Sequence, residues 1–308
     1  MPFRVQSGWK TDPYQTGLAG IGLFGGGYTG SVNLASIEQV AIETLSNSQN
    51  FGNISSGRRG LAGCSSSTRG LFAGGYNGTN SENVIEYVTI STALNPLDFG
   101  DLSSGKDSLA GCSNSTRGVF SGSSDFTPAI DYVTIATTGN YTTFGNLSVG
   151  RGYHSGCSSS TRGVFGGGYA TTYENTIDYI TIGTTGNATD FGNLTQARQQ
   201  LAGCSSSIRG VFLGGGTATP AVNTIDYITI ASTGDAVDFG DLCSIVTSVG
   251  ACSSLIRGIR SGGYNGTSRV STFDYITIGT MGDASNFGNL ITAKSGNAGI
   301  SSSHGGLA

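Results

Sequence analysis

The chain has 308 residues, 11% of them charged, with a formal net charge of −4 and only three lysines. That balance lacks the concentrated basic surface of a nucleic-acid binder, so no nucleic-acid partner is expected. Its 52 glycines suggest low complexity, yet Ile, Val, Tyr and Phe recur at regular intervals, which marks a folded chain.

Residues 1–16, "MPFRVQSGWKTDPYQT", lie outside any repeat. They have no apolar run of the kind a signal peptide needs, and no later segment approaches a membrane span. Phe3, Trp9 and Tyr14 are conspicuous in so polar a stretch. They read as an N-terminal arm that docks on another subunit or packs along the side of the main domain.

Residues 17–308 are expected to form one repeat domain. Phe-Gly occurs at Phe51, Phe99, Phe144, Phe191, Phe239 and Phe287, at steps of 48, 45, 47, 48 and 48. Thirteen residues before each phenylalanine stands a carboxylate: Glu38, Glu86, Asp131, Asp178, Asp226 and Asp274. Six copies follow. In the second copy the strand-like pieces are "LAGCSSST", "GLFAGGY", "NVIEYVTI" and "DFGDL". The third is β-branched and aromatic, and turn residues punctuate the joins. Four short antiparallel strands per 45–48 residues make the blade of a β-propeller. Side-chain size grows outward along each copy, from Gly, Ala, Cys and Ser in the first piece to Phe in the fourth. Six inner strands crowding one channel require that gradient. The chain enters on a second-strand sequence, "GLFGGGY" (22–28), and finishes on "NAGISSSHGG" (297–306), which aligns with "LAGCSSSTRG". The C-terminal piece is therefore expected to supply the inner strand of the N-terminal blade and remove the free edges. The shorter "GLAGI" (17–21) competes for that slot.

Cys64, Cys112, Cys157, Cys204 and Cys252 each stand five residues before an arginine. One position copied five times reads as small buried thiols, not as a disulfide framework or a metal clamp.

The double glycines Gly74-Gly75, Gly167-Gly168, Gly214-Gly215 and Gly262-Gly263, the following "EY" or "DY", and a basic residue before the first strand together resemble the kelch repeat. The resemblance covers about residues 17–308. It departs where kelch repeats carry a fourth-strand tryptophan: Phe-Gly takes that place, and the only tryptophan is Trp9. In its glycine- and serine-rich style the chain is similar to kelch-like propellers among tailed-phage virion proteins. The resemblance implies an all-β, six-bladed kelch-like β-propeller closed by its C-terminal strand. It also implies a virion surface, fibre or tail-associated protein, made in the host cytoplasm. Such a protein would contact other virion proteins through the arm and a propeller face, and host glycans through the other. A carbohydrate-active propeller enzyme and a cytoplasmic kelch-type adaptor are the alternatives.

His154 and His304 are the only histidines; a propeller copper site needs two close together beside tyrosines, and these fall in the inner strands of different blades. No Asp-box loops of the sialidase kind appear, the serines of "CSSST" are too periodic for one nucleophile, and the Gly-Gly-Gly runs open no helix that would cradle phosphate. A non-enzymatic module without metal or cofactor is expected.

Two basic rings stand out. Arg58, Lys106, Arg151, Arg198 and Lys294 follow each phenylalanine by seven residues, with Val246 in the remaining place. Arg69, Arg117, Arg162, Arg209 and Arg257 form the second ring, with Gly305 sixth, at the opposite mouth. Each ring reads either as an anion or acidic-glycan site or as a scaffold of repeated ion pairs. The carboxylates before each tyrosine are the partners for the first ring under the scaffold reading. The loops between second and third strands vary most, and Tyr28, Tyr76, Tyr169, Tyr173 and Tyr264 on them are candidates for stacking on sugars or packing on a partner.

Overall fold

A computed structural model describes residues 20–217 and 221–307. The expected arm, with Phe3, Trp9 and Tyr14, lies outside the described residues. Six four-stranded antiparallel sheets follow one another around an axis; they are numbered here as blades 1 to 6. In blade 4 the strands from the axis outward are Ser155–Ser158, Arg162–Gly166, Thr176–Thr181 and Thr189–Asn193. The ring closes as the termini require. Ala298–Ser301 pairs with Ile21–Gly25, with Gly22 opposite Ser301 and Gly25 opposite Ala298, so blade 1 takes its inner strand from the far end of the chain.

The hydrophobic core lies between blades. Leu71, Ile85, Phe99 and Leu102 of blade 2 pack with Phe120, Val133 and Ile135 of blade 3, and five further clusters bridge neighbours in the same way. Fully burying each such Phe, Leu, Val or Ile stabilises the fold by roughly 1.5–3 kcal/mol. The period-2 pattern of the third strands sends Ile85 inward to one blade gap and Glu86 into the other.

Close approach explains the glycines. A Cβ on Gly111 would lie 2.4 Å from the Gly63 carbonyl oxygen one blade back, and one on Gly203 equally close to that of Gly156. Blade 6 alone departs, with Ala251 at the equivalent place. The glycine of four of the five Arg-Gly pairs faces a thiol: a Cβ on Gly118 would be 2.5 Å from Cys64 Sγ, and one on Gly210 2.5 Å from Cys157 Sγ, whereas Gly70 faces Ile300, which takes the cysteine's place in the closing strand. The five repeat cysteines are buried and unbridged. Burial pushes the Cys204 thiol up to about 12, so it behaves as a small hydrophobe.

The second basic ring belongs to this scaffold. Arg69 lies 4.4 Å over the Tyr87 ring and donates from Nη1 to the Ile135 carbonyl of the next blade at 2.8 Å. Arg117, Arg162, Arg209 and Arg257 repeat both contacts. Its sixth place needs correction. Ile21, not Gly305, holds it, since Ile21 pairs with Ala41 as Arg69 pairs with Thr89; Gly305 lies beyond the inner strand that closes the ring.

Candidate binding site at the open mouth

The channel is bounded by two closed rings of hydrogen bonds. At one end Ser65, Ser113, Ser158, Ser205, Ser253 and Ser301 finish the six inner strands. Each Oγ donates to the carbonyl of its counterpart one blade back at 2.6–2.9 Å, and the sixth bond closes the circle. At the other end, just before the inner strands begin, stand Gly60, Ser108, Tyr153, Gln200, Ser248 and Gly296. Here each backbone N–H donates to the carbonyl of its counterpart one blade back at 2.6–2.8 Å, again in a full circle. All six residues have φ between 55° and 66°, a left-handed conformation that four non-glycine residues adopt at some cost in strain.

The serine end is plugged. After Ser301 the chain turns inward through His304 into a 3-10 turn, Gly305–Leu307. A Cβ on Gly306 would sit 1.9 Å from the Ser113 carbonyl oxygen, so the turn fills that end of the channel. His304 Nε2 lies 3.0 Å from the Ser65 carbonyl, and Nδ1 accepts from the Gly306 N–H at 3.1 Å. Those partners assign a neutral ring protonated on Nε2; burial lowers its pKa, opposed by the Ser65 carbonyl. His154 stands at the opposite end, bonded to Ser121 Oγ at 2.8 Å and pushed well below its ordinary 6.5 by burial and then by the Arg151 charge.

The first basic ring is corrected as a set of ligand-binding residues. Arg58, Lys106, Arg151, Arg198 and Lys294 are at most 1% exposed. Each is ion-paired with a third-strand carboxylate: Arg58 with Glu86, Lys106 with Asp131 at 2.7 Å, Arg151 with Asp178 at 2.9 Å, Arg198 with Asp226 at 2.7 Å, and Lys294 with Glu38 at 3.0 Å. The link that leaves the outer strand of the preceding blade completes the cradle, as where Ser148 Oγ and Thr195 Oγ1 donate to Asp178 and Asp226. A charge sealed among such partners has nothing to offer a ligand at the surface. Burial pulls Arg151 below its ordinary value while Asp178 holds it up.

Blade 6 solves the same problem differently. Val246 occupies the cation's place and is fully buried, and Arg260, standing where other blades have Phe72, Phe120, Phe165 and Phe212, pairs with Asp274. The aromatic displaced from that position returns one strand out as Phe273, 5.2 Å from Phe24 and 5.9 Å from Phe287.

Above the backbone ring opens a funnel of about 580 Å³, lined among others by Tyr28, Tyr76, Arg59, Arg269, Asp107 and Gln200. The Tyr28, Tyr76 and Tyr264 hydroxyls each donate to a carbonyl two residues on, Gly30, Gly78 and Gly266, at 2.7–2.9 Å. That pins the rings, and guanidinium groups stand over them. Arg59 is 4.4 Å from the Tyr28 centroid and 5.1 Å from that of Tyr76. Arg269 is 5.0 Å from Tyr28 and 5.0 Å from Tyr264. An alternating row, Tyr264–Arg269–Tyr28–Arg59–Tyr76, thus runs across blades 6, 1 and 2. Tyr169 and Tyr173 belong elsewhere: they pack edge-on at 5.4 Å, with Phe126 5.7 Å from Tyr169.

Asp107, on the blade 3 side, accepts from Ser81 Oγ at 2.6 Å, Ser108 Oγ at 2.8 Å and Ser124 Oγ at 2.9 Å. Arg59, Arg269 and Asp107 escaped the sequence reading because they sit off the repeated pattern. Arg59 and Asp107 left one visible signal, divergence at a fixed register: Arg59, Asp107, Gly152, Gln199, Thr247 and Ser295 fill one repeat position with six residue types, while Arg269 lies in a variable loop.

Among the described residues no helix is long and apolar enough to cross a membrane. No protein-family model matches the chain, and no curated protein matches it.

Proposed function

We propose that the chain is a non-enzymatic binding module of kelch type, carried on a phage virion as a surface, fibre or tail-associated protein, whose open mouth meets glycans or a neighbouring virion protein. One observation carries the reading: the funnel rests on a ring bonded through the backbone, so its wall side chains are released from scaffold duty and differ from blade to blade. The opposite mouth is filled by the chain's own C-terminal turn, which directs recognition to the funnel side. The virion setting is supported by the glycine- and serine-rich kelch style of the repeats.

Glycan-array binding of the purified propeller, followed by competition with antibody against the 2–3 loops, tests the module. Saturable binding blocked by that antibody is expected; binding that the antibody leaves untouched overturns the assignment to this mouth. Labelling of phage particles with the same antibody tests the setting, and particles that never carry the chain refute it.

A further inference from the structure

Within that reading, the funnel wall specifies a ligand chemistry. Both guanidinium carbons of Arg59 and Arg269 lie within 5.0 Å of the Tyr28 centroid, so two positive charges share one aromatic ring. Among the described residues neither has a carboxylate within 4.0 Å, in contrast to the buried cations beneath them. Among the described residues the Arg59 side chain makes one hydrogen bond, at 3.5 Å to Asn33 Oδ1, and buried Arg269 Nε has no partner. Among the described residues the terminal N–H donors of both guanidinium groups are therefore almost all without a protein acceptor. Tyr28 holds both planar forks in place, so little side-chain entropy is lost when they close on an anion. The funnel's other fixed charge is Asp107, and His154 is neutral because burial holds its pKa down; the wall thus carries a net positive charge. Asp107 already takes three serine hydroxyls, which shows what that side accepts: O–H donors.

We propose that the open mouth binds an anionic saccharide, with its carboxylate or sulfate between Arg59 and Arg269 over Tyr28 and its hydroxyls toward the Asp107 side. Charge-assisted, bidentate contacts give the anion preference, and the opposed acidic side disfavours a ligand that is anionic throughout. The proposal rests on the binding-module reading and is tested separately from it.

The experiment is titration calorimetry with trigalacturonic acid, sialyllactose and a sulfated disaccharide, each beside its neutral counterpart. At least one acidic probe is expected to bind at least tenfold tighter than its counterpart, with affinity falling as salt rises. R59A and R269A are expected to weaken that probe about tenfold each, with an unchanged melting temperature, and R59K/R269K to recover part of the loss. Equal binding of neutral and acidic sugars overturns the anion preference and leaves the glycan-binding module standing. Binding of none of the probes overturns the proposal. Loss on R59A matched by a drop in melting temperature assigns these arginines to the scaffold and overturns it too.

Discussion

The two ends of the channel are closed by the same device written in different chemistry. At the plugged end the circle runs through serine hydroxyls, and position 65 and its five counterparts are all Ser. At the open end it runs through backbone N–H groups, and the counterparts of Gly60 are Ser, Tyr, Gln, Ser and Gly. A ring made by side chains constrains composition; a ring made by the backbone constrains only φ and ψ. The propeller therefore keeps its geometry at the open mouth while leaving its side chains there free to serve a ligand.

The sharpest way to break that contrast uses two adjacent residues. Arg58 borders the open mouth but is sealed against Glu86, so R58M is expected to cost about 3–5 kcal/mol in urea denaturation by stranding a buried carboxylate. R59M, one residue on, is expected to stay within about 0.5 kcal/mol of the parent. Equal costs would mean that the mouth wall is scaffold after all. Blade 6 offers a test of similar size. R260F strands Asp274 and should destabilise by about 3–5 kcal/mol, whereas R260F/V246R restores the pattern of the other blades and should recover most of it. An additive double mutant would show that the two positions do not exchange one charge.

A smaller effect separates the rings themselves. S205A leaves the Ser158 carbonyl without its donor and should cost about 1–3 kcal/mol, while Q200A, whose ring bond is backbone, should be near neutral. Smallest at neutral pH is the contribution of His154. Burial keeps it unprotonated in the folded ring, while the unfolded chain takes up a proton near pH 6.5, so stability falls as pH drops below that value. H154L places there the leucine found at Leu61, Leu109 and Leu201 and should flatten the fall in melting temperature between about pH 7.5 and about pH 5. His304, also held neutral, leaves a residual slope. An acid limb unchanged by H154L would remove the histidine from the account.

Much of the scaffold was legible because repetition amplifies steric rules. Glycine recurring beside cysteine at a period of 45–48 meant crowded inner strands, and unmatched termini meant a shared blade. Spacing also set Arg151 near Asp178, but not whether the charge faced water or core, since burial depends on the blade that packs above. Val246 was visible as a gap in the basic ring; its replacement by Arg260 was not, because the compensation crosses strands. The serines read as small before they read as donors. The arginine–tyrosine row was hidden because each member is singular in the repeat, and only folding aligns residues 28, 59, 76, 264 and 269.

Ring closure also sets the order of events on the ribosome. Ile21–Gly25 is made before blades 2 to 6, and its inner partner, Ala298–Ser301, after them. Blades 2 to 6 complete themselves from contiguous sequence, but the first keeps one edge unsatisfied until all five have been made. Closure pairs two strands separated by five complete blades, the kind of contact that loop-closure entropy makes slow. A nascent propeller thus passes through an open crescent, and that crescent is the species a chaperone or a neighbouring copy would meet.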